Sequence, residues 1–374
     1  MKITDLRTPC VLVDHSRVER NIEHMQSAAE SRGLRLRPHA KTHKCPDLAR
    51  VQIGRGAVGI CCAKLGEAEV FAEAGISDIR LPYPLHPSNA DRVLRLLDRT
   101  HLSFIVDHAG VARQWSEVMA RAGYQVDVLV KVDVGFHRCG IDPADSGAAD
   151  FVADVARLPG LRFSGLLSHA GHAYGAGSED EACAIAAREA ATMTGLAAAV
   201  RDRGIEVEEI SVGATPTARF SVQQQGLTEV RPGNYIYFDR TQVGLGAARW
   251  DDCALTVLAR VVSRPARDRI IVDSGSKTLT NDLARGFMPQ PGYGAVMAGL
   301  HVTVPDTSLV IERLSEEHAN VRSTDAASVL EPGDLVRIVP NHSCVVSNLV
   351  DSVWLVGGDE VLDRLDVSAR GRIA

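Results

Sequence analysis

Lysine is scarce in this sequence. Of its 41 basic residues only six are lysines: Lys2, Lys41, Lys44, Lys64, Lys131 and Lys277. Chemistry that needs an amine therefore has a short list of sites. Acidic residues number 47, the net charge is −6 and the two signs are interspersed. There is no basic stripe to suit nucleic acid and no basic amphipathic helix to suit a membrane surface. No apolar run approaches the ~20 residues of a bilayer-spanning helix. The opening MKITDLRTPC lacks the hydrophobic core of a signal peptide, which predicts a cytoplasmic protein. The eight cysteines (Cys10, Cys45, Cys61, Cys62, Cys139, Cys183, Cys253 and Cys344) contain no CxxC pair. Their spacing matches neither a disulfide framework nor a zinc finger, and in a reducing compartment most are expected as small buried side chains. The balance of 45% apolar and 24% charged residues is that of a soluble globular chain and excludes disorder and collagen-like repeats.

The 374 residues suffice for two to three domains, or for one large barrel with a smaller module. Over the first two-thirds, short β-rich runs alternate with helical patterns. Strands are expected at 34–38, 57–62, 78–81, 102–106, 126–132, 162–168 and 207–212. Ser16 and Glu19 read as a capping box for a helix from Ser16 to about Ala29, with Val18, Ile22, Met25 and Ala29 on one face. Further helices are expected to start near Pro46, Leu65, Asn89, Gly110, Asp145 and Glu179, the last ending near Arg203-Gly204. Such alternation implies a parallel sheet, and seven or eight units over about 230 residues fit a (β/α)8 barrel. The rival is an open doubly wound sheet, but no GxGxxG follows a strand. After about residue 250 helical periodicity fades. Short β runs at 254–262, 270–272, 308–313, 335–339 and 353–356 are punctuated by Gly and Pro. The expectation is a TIM-type barrel over 1–250 followed by a β domain over 251–374, with the opening strand free to join either.

A barrel of this kind places function at the C-terminal ends of its strands. The first expected strand leads into Arg37-Pro38-His39-Ala40-Lys41-Thr42-His43-Lys44. Strand alternation puts His39 and Lys41 on one side. A lysine facing the interior is costly unless neutralised or bonded, and a Schiff base with an aldehyde cofactor would achieve that; a surface loop with solvated lysines fits the same letters. The run Val126–Val132 leads into Asp133-Val134-Gly135-Phe136-His137-Arg138-Cys139-Gly140, where Arg138 suits a phenolate or carboxylate. Ser168-His169-Ala170-Gly171-His172-Ala173-Tyr174 clusters two histidines and a tyrosine past a buried strand. Ser211-Val212-Gly213-Ala214-Thr215-Pro216-Thr217 and Arg231-Pro232-Gly233-Asn234-Tyr235 together suit a phosphate on the last two strand ends. In the β domain, Pro340-Asn341-His342-Ser343-Cys344 offers an imidazole and a thiolate that can share one soft divalent metal, zinc in particular. Two ligands leave room for a third from elsewhere, from water or from substrate, and His318 is a candidate.

The lysine segment Arg37–Lys44 resembles that of the D-serine dehydratase and D-threonine aldolase family, within the alanine-racemase-like fold type of pyridoxal phosphate enzymes. Thr8–Asp14 resembles its opening strand, Ala57–Ala68 its second unit, Val230–Tyr235 its phosphate turn and Pro340–Cys344 its metal pair. The resemblance covers the chain. It implies that Lys41 carries pyridoxal 5'-phosphate. It places Arg138 near the ring oxygen, with His39, His172 and Tyr174 in the cofactor pocket. Gly213, Ala214, Thr215, Gly233 and Asn234, with Arg231 in the same turn, would bind the phosphate, largely through backbone N–H. It implies a divalent metal on His342 and Cys344, and a head-to-tail homodimer in which one subunit's β domain closes the other's barrel mouth.

The implied chemistry is that of a lyase on β-hydroxy-D-amino acids. Lys41 acts as general base at Cα, and the metal at His342 and Cys344 assists departure of the β-hydroxyl. Dehydratase relatives carry His-x-Cys and typical D-threonine aldolases His-x-Asp, so Cys344 favours dehydration to a 2-oxo acid and ammonia. The alternative is retro-aldol cleavage to glycine and an aldehyde, with zinc, manganese or magnesium as the ion. A racemase would need a second base where His342 and Cys344 stand. A non-catalytic pyridoxal phosphate carrier would resemble the barrel alone. A metal-dependent barrel hydrolase would show several His and Asp at strand ends. An acidic substrate would want a further Arg or Lys in the pocket, which the sequence does not place.

Overall fold

The computed structural model describes residues 1–288, 291–324 and 330–374. Eight parallel strands run in the order Arg35–Leu36, Glu229–Val230, Glu209–Val212, Leu161–Leu167, Val126–Lys131, His101–Val106, Asp78–Pro84 and Ile60–Cys61. The two ends of this order meet again. His39 forms a parallel bridge with Cys61, and the Val58 N–H donates to the Leu36 carbonyl at 3.0 Å. The sheet therefore curls into a TIM-type barrel. The expected helices surround it, among them Pro46–Gly54, Leu65–Glu73, Ala109–Ala122 and the long Ala-rich Glu179–Arg201. The eighth strand, Glu229–Val230, escaped the sequence reading because two residues leave no periodicity to see.

The second sheet has nine strands, in the order Arg269–Val272, Ala319–Ser323, Leu309–Leu314, Ala295–Met297, Leu335–Val339, Leu255–Ala266, Cys10–Asp14, Ser352–Gly357 and Glu360–Asp366. It is antiparallel except where Cys10–Asp14 lies parallel to Ser352–Gly357. The opening strand thus belongs to this sheet, between two strands from the far end of the chain. Its apolar core extends onto the barrel's helices: Val18, Ile22 and Leu48 pack with Val11, Val13, Leu255 and Val257.

One expected cap is corrected. The first helix is His15–Glu30, and its N-cap is Asp14, whose carboxylate accepts the Arg17 N–H at 3.0 Å. Ser16 lies inside the helix and donates its own hydroxyl to Asp14 at 2.7 Å. Asp14 wins because it closes the strand with extended backbone, the conformation a cap requires.

The barrel interior is not wholly apolar. Glu229, fully buried, accepts from Arg80 at 2.7 Å, from Arg37 at 2.9 Å and from the Ser211 hydroxyl. Arg80 also reaches Glu209 at 2.9 Å, and the Arg231 guanidinium donates to Ser211 and to the Ser168 carbonyl. Burial alone would raise the Glu229 pKa, but Arg80, Arg37 and Arg231 outweigh it and hold the carboxyl far below its ordinary range. A buried charge that loses its partner costs about 3–5 kcal/mol. Glu229→Gln removes the carboxylate shared by Arg37 and Arg80, which keep Asp78 and Glu209, and should lower unfolding free energy by up to that order in urea titrations near neutral pH. A depressed carboxylate contributes stability above its unfolded pKa of about 4.3 and loses it as pH falls. The gap between wild type and variant should therefore narrow below about pH 4; a gap independent of pH would refute this role.

Candidate active site

A cavity of about 690 Å³ opens at the C-terminal ends of the barrel strands. His39 and Lys41 both reach it, though not by strand alternation. The strand stops at Leu36, and Lys41 sits on a single 3-10 turn, Ala40–Thr42. The neighbouring basic residues serve the fold. Lys44 pairs with buried Glu67 at 2.7 Å, and buried His43 bonds Cys45 and Gln52. Lys41 is thus the lysine of this segment available for chemistry.

The wall opposite the first strand is basic but carries neutral imidazoles. His39 is half-buried, with a buried and unpartnered Nδ1, and burial together with Lys41 pushes its pKa well below the ordinary value. His169 contacts the Gly213 carbonyl through Nδ1 at 2.7 Å and stacks edge-on with Phe136, centroids 5.7 Å apart. Burial and Lys41 lower its pKa as well. Lys131, at the end of its strand, is pushed down to about 7 by burial and by Arg231. Arg138 lies over the Phe136 ring at 5.0 Å. Tyr174 also lines the cavity, and burial raises its phenol pKa so that it stays protonated at neutral pH.

The residues expected to bind phosphate lie together. Gly213, Ala214, Thr215, Arg231, Gly233 and Asn234 all line the cavity. Glycine is required twice: a Cβ on Gly213, at φ +153, would stand 2.7 Å from the Arg231 nitrogen, and one on Gly233 would stand 3.0 Å from His39. The helix Thr215–Ser221 starts at Ala214 without a side-chain cap, leaving its first N–H groups open to an anion. The N–H groups of Gly233 and Asn234 go instead to the Thr215 hydroxyl, at 3.3 and 3.0 Å. Arg231 spends its guanidinium on Ser211 and Ser168, so it supports this wall as much as it lines it.

The β domain brings His342 and Cys344 to the same cavity. The Cys344 sulfur is 3.3 Å from the hydroxyl of Thr42, the neighbour of Lys41, across 302 positions of chain. His342 Nδ1 is 2.7 Å from Asp282. Burial works against charge on both groups of the pair, yet each favours the other's charge: His342 is raised to about 10, mainly by Cys344, and the Cys344 thiol is held below its ordinary value by His342. Asp239, fully buried, accepts from Asn234 at 2.7 Å and from the Ser343 N–H at 3.0 Å. It thereby ties the phosphate turn to the metal segment.

Two expected positions fall elsewhere. His172 faces a smaller cleft beyond Phe136 and Tyr174 rather than the large cavity; His169 holds the inward place, two residues on from cavity-lining Leu167, as strand alternation demands. His318 is exposed at the turn between Leu309–Leu314 and Ala319–Ser323 and is not among the cavity's lining residues. Among the described residues no group of three or more His, Cys, Asp or Glu is placed to hold a metal, so His342 and Cys344 stand as a pair. The sequence reading also missed Lys131, Thr42 and the stretch Asn281–Arg285. Lys131 carried a signal, being one of six lysines and at a strand end; the other positions carried none.

Comparison with known proteins places this geometry. Residues 13–241 match the family model described as the alanine racemase N-terminal domain, and residues 254–356 the one described as a putative serine dehydratase domain. A D-threonine aldolase of Arthrobacter sp is 36% identical over 374 residues, covering 97% of this chain and 93% of that protein. A D-threo-3-hydroxyaspartate dehydratase of Delftia sp. (strain HT23) is 33% identical over 348 residues, 91% of each chain. The crystal structure of D-threonine aldolase from Filomicrobium marinum superposes with a TM-score of 0.90 at 32% identity, covering 100% of this chain and 98% of that one. Barrel, second sheet and cavity are those of the alanine-racemase-like enzymes. Within that class the chain belongs to the D-serine dehydratase and D-threonine aldolase family of pyridoxal phosphate-dependent lyases. No helix among the described residues is long and apolar enough to cross a membrane.

The cavity fits that cofactor. It offers one solvent-reachable amine, a glycine cradle at an uncapped helix start, and an imidazole with a buried, unpartnered nitrogen. Lys41→Ala should abolish the visible absorbance that survives desalting after incubation with pyridoxal phosphate. Lys44→Met, which breaks a buried pair, should keep that absorbance but unfold more easily, by about 3 kcal/mol or more. Absorbance lost from the second variant and kept by the first would reverse the assignment.

Proposed function

We propose that this protein is a dehydratase of β-hydroxy-D-amino acids, releasing a 2-oxo acid and ammonia. The observation that carries the reading is the thiol–imidazole pair beside Lys41: Cys344 touches Thr42 at 3.3 Å. A D-threo-3-hydroxyaspartate dehydratase variant with a cysteine replaced by alanine has been solved in a metal-free form, and another variant of such a dehydratase replaces a histidine two positions earlier. His342 and Cys344 have the same residue types at the same spacing, which supports a metal at this pair and the dehydratase branch of the family. Thiolate with imidazole favours zinc over manganese or magnesium.

Lys41 Nζ takes the proton from Cα of the bound amino acid. Bound pyridoxal phosphate supplies the electron sink for the charge left at Cα. His342 and Cys344 would hold a divalent ion, which would supply Lewis acidity for loss of the β-hydroxyl; the proton taken by Lys41 balances its departure as water. Asp282, bonded to His342 Nδ1, fixes the imidazole and leaves Nε2 as the ring nitrogen that would take an ion. Arg138 and the neutral His39 and His169 would hold the cofactor ring, and the Thr215 helix start and Gly213 its phosphate. The released enamine becomes the 2-oxo acid and ammonia by addition of water.

The reading includes a head-to-tail homodimer. Leu283 and Met288, both more than half exposed, stand near the cavity mouth where a partner's β domain would cover them. Light scattering should return twice the chain mass.

With D-threonine, pyridoxal phosphate and zinc, the expected products are 2-oxobutanoate and ammonia. Acetaldehyde and glycine would instead establish the aldolase reading, which the Arthrobacter relative favours. His342→Ala should lower turnover on the order of a hundredfold or more, the loss of several kcal/mol of Lewis-acid assistance, while cofactor absorbance is retained.

A further inference from the structure

The cavity is lined by more cations than the cofactor and metal occupy. Lys41 is committed to the cofactor. Lys131 is buried, and Arg231 is held by Ser168 and Ser211. Arg138 lies against Phe136 on the barrel side. The Arg285 side chain is exposed, lines the cavity, and makes no hydrogen bond or ion pair among the described residues. Arg138 is also exposed and without a hydrogen bond or ion pair among the described residues, so what sets Arg285 apart is its place on the segment that carries Asp282, the partner of His342.

Its position is fixed although its charge is free. The Arg285 N–H donates to the Thr241 hydroxyl at 3.3 Å. Gly244 packs so closely on this backbone that a Cβ there would stand 2.7 Å from the Arg285 carbonyl oxygen. Three residues earlier, the Asp282 carbonyl accepts from Asn341 at 2.9 Å while its carboxylate holds His342. One pinned segment therefore carries both the support for the metal pair and an unpaired guanidinium.

That juxtaposition bears on the substrate. If the β-hydroxyl goes to His342 and Cys344, the other substituent on Cβ lies against the same wall, where Leu283 and Arg285 project. We propose that Arg285 pairs with a carboxylate on Cβ, so that the preferred substrate is a 3-hydroxy-D-aspartate rather than D-serine or D-threonine. The proposal rests on the β-hydroxyl assignment above for which substituent is meant. An unpaired guanidinium gives up no existing ion pair on binding, and its planar fork matches a carboxylate in two parallel hydrogen bonds.

The test separates this proposal from the lyase reading by using amino acids without a β-hydroxyl. Calorimetric titration of the holoenzyme with D-aspartate and with D-alanine should show D-aspartate binding at least about tenfold more tightly, the scale of a charge-assisted hydrogen-bonded pair. Arg285→Gln should reduce the ratio of the two affinities by about tenfold to a hundredfold, and Arg285→Lys should restore part of it. In turnover, Arg285→Gln should act on KM for 3-hydroxy-D-aspartate more than on kcat. An unchanged affinity ratio in Arg285→Gln, or wild type binding D-alanine as tightly as D-aspartate, would overturn the proposal. Wild type that binds D-aspartate through Arg285 yet transforms no β-hydroxy-D-amino acid would support the carboxylate subsite and overturn the lyase reading.

Discussion

The arrangement of the site depends on one buried carboxylate. Asp239 accepts from Asn234 in the phosphate turn and from the backbone and hydroxyl of Ser343 between the two metal-pair residues. It also caps the short helix Arg240–Gly244 through the Gln242 N–H at 3.0 Å. A fully buried carboxylate is tolerated only when its oxygens are satisfied, so these partners have little freedom to separate. The barrel's phosphate end and the β domain's metal end are thus held to a common reference. The apolar core shared by the helix His15–Glu30 and the second sheet does the same on a larger scale, without directional precision.

Charge is graded through the barrel. At its middle, Glu229 and Glu209 balance Arg37 and Arg80 in a closed network. Arg231 stands one layer above, touching that network through Ser211 and the cavity on its other side. Above it, on the barrel side, Lys131, Lys41 and Arg138 face the open space, with His39 and His169 kept neutral by burial; the acids that line the cavity, Asp239 and Asp282, are bonded to Asn234 and Ser343 and to His342. A dianionic phosphate and an amino-acid carboxylate suit such a cavity, because they complete a balance that the protein leaves positive.

Most of the barrel was legible in the sequence because parallel strands buried on both faces are continuous apolar runs separated by helical periodicity. Elements that failed to show were those too short for any period, Glu229–Val230 and Ala295–Met297, and two hairpin return strands rich in polar residues, Ala319–Ser323 and Glu360–Asp366. Cys10–Asp14 reads as a strand, but nothing local says which sheet it enters. In the site, residues contributed by motifs were found by type: Lys41, Gly213, Gly233, Asn234, His342 and Cys344 all reach the cavity. The choice between His169 and His172 was settled by strand phase, and residue type alone did not decide it. Arg285 and Asp282 lie on an irregular connection whose course follows from packing against Gly244 and Asn341, information that no periodicity encodes.

The strand Cys10–Asp14 gives the chain an unusual kind of unity. It precedes the barrel in the sequence, yet its neighbours are Leu255–Ala266 and Ser352–Gly357, so it cannot pair until the whole barrel segment has been made. Contacts of such sequence separation slow folding. They also make the obvious division misleading. A cut near residue 250 would leave the β domain without an inner strand, exposing a gap between two unsatisfied edges, and would leave Val11, Leu12 and Val13 uncovered on the other fragment. The boundary between domains in space does not coincide with any boundary in sequence, and the two halves can be inherited, exchanged or expressed only together.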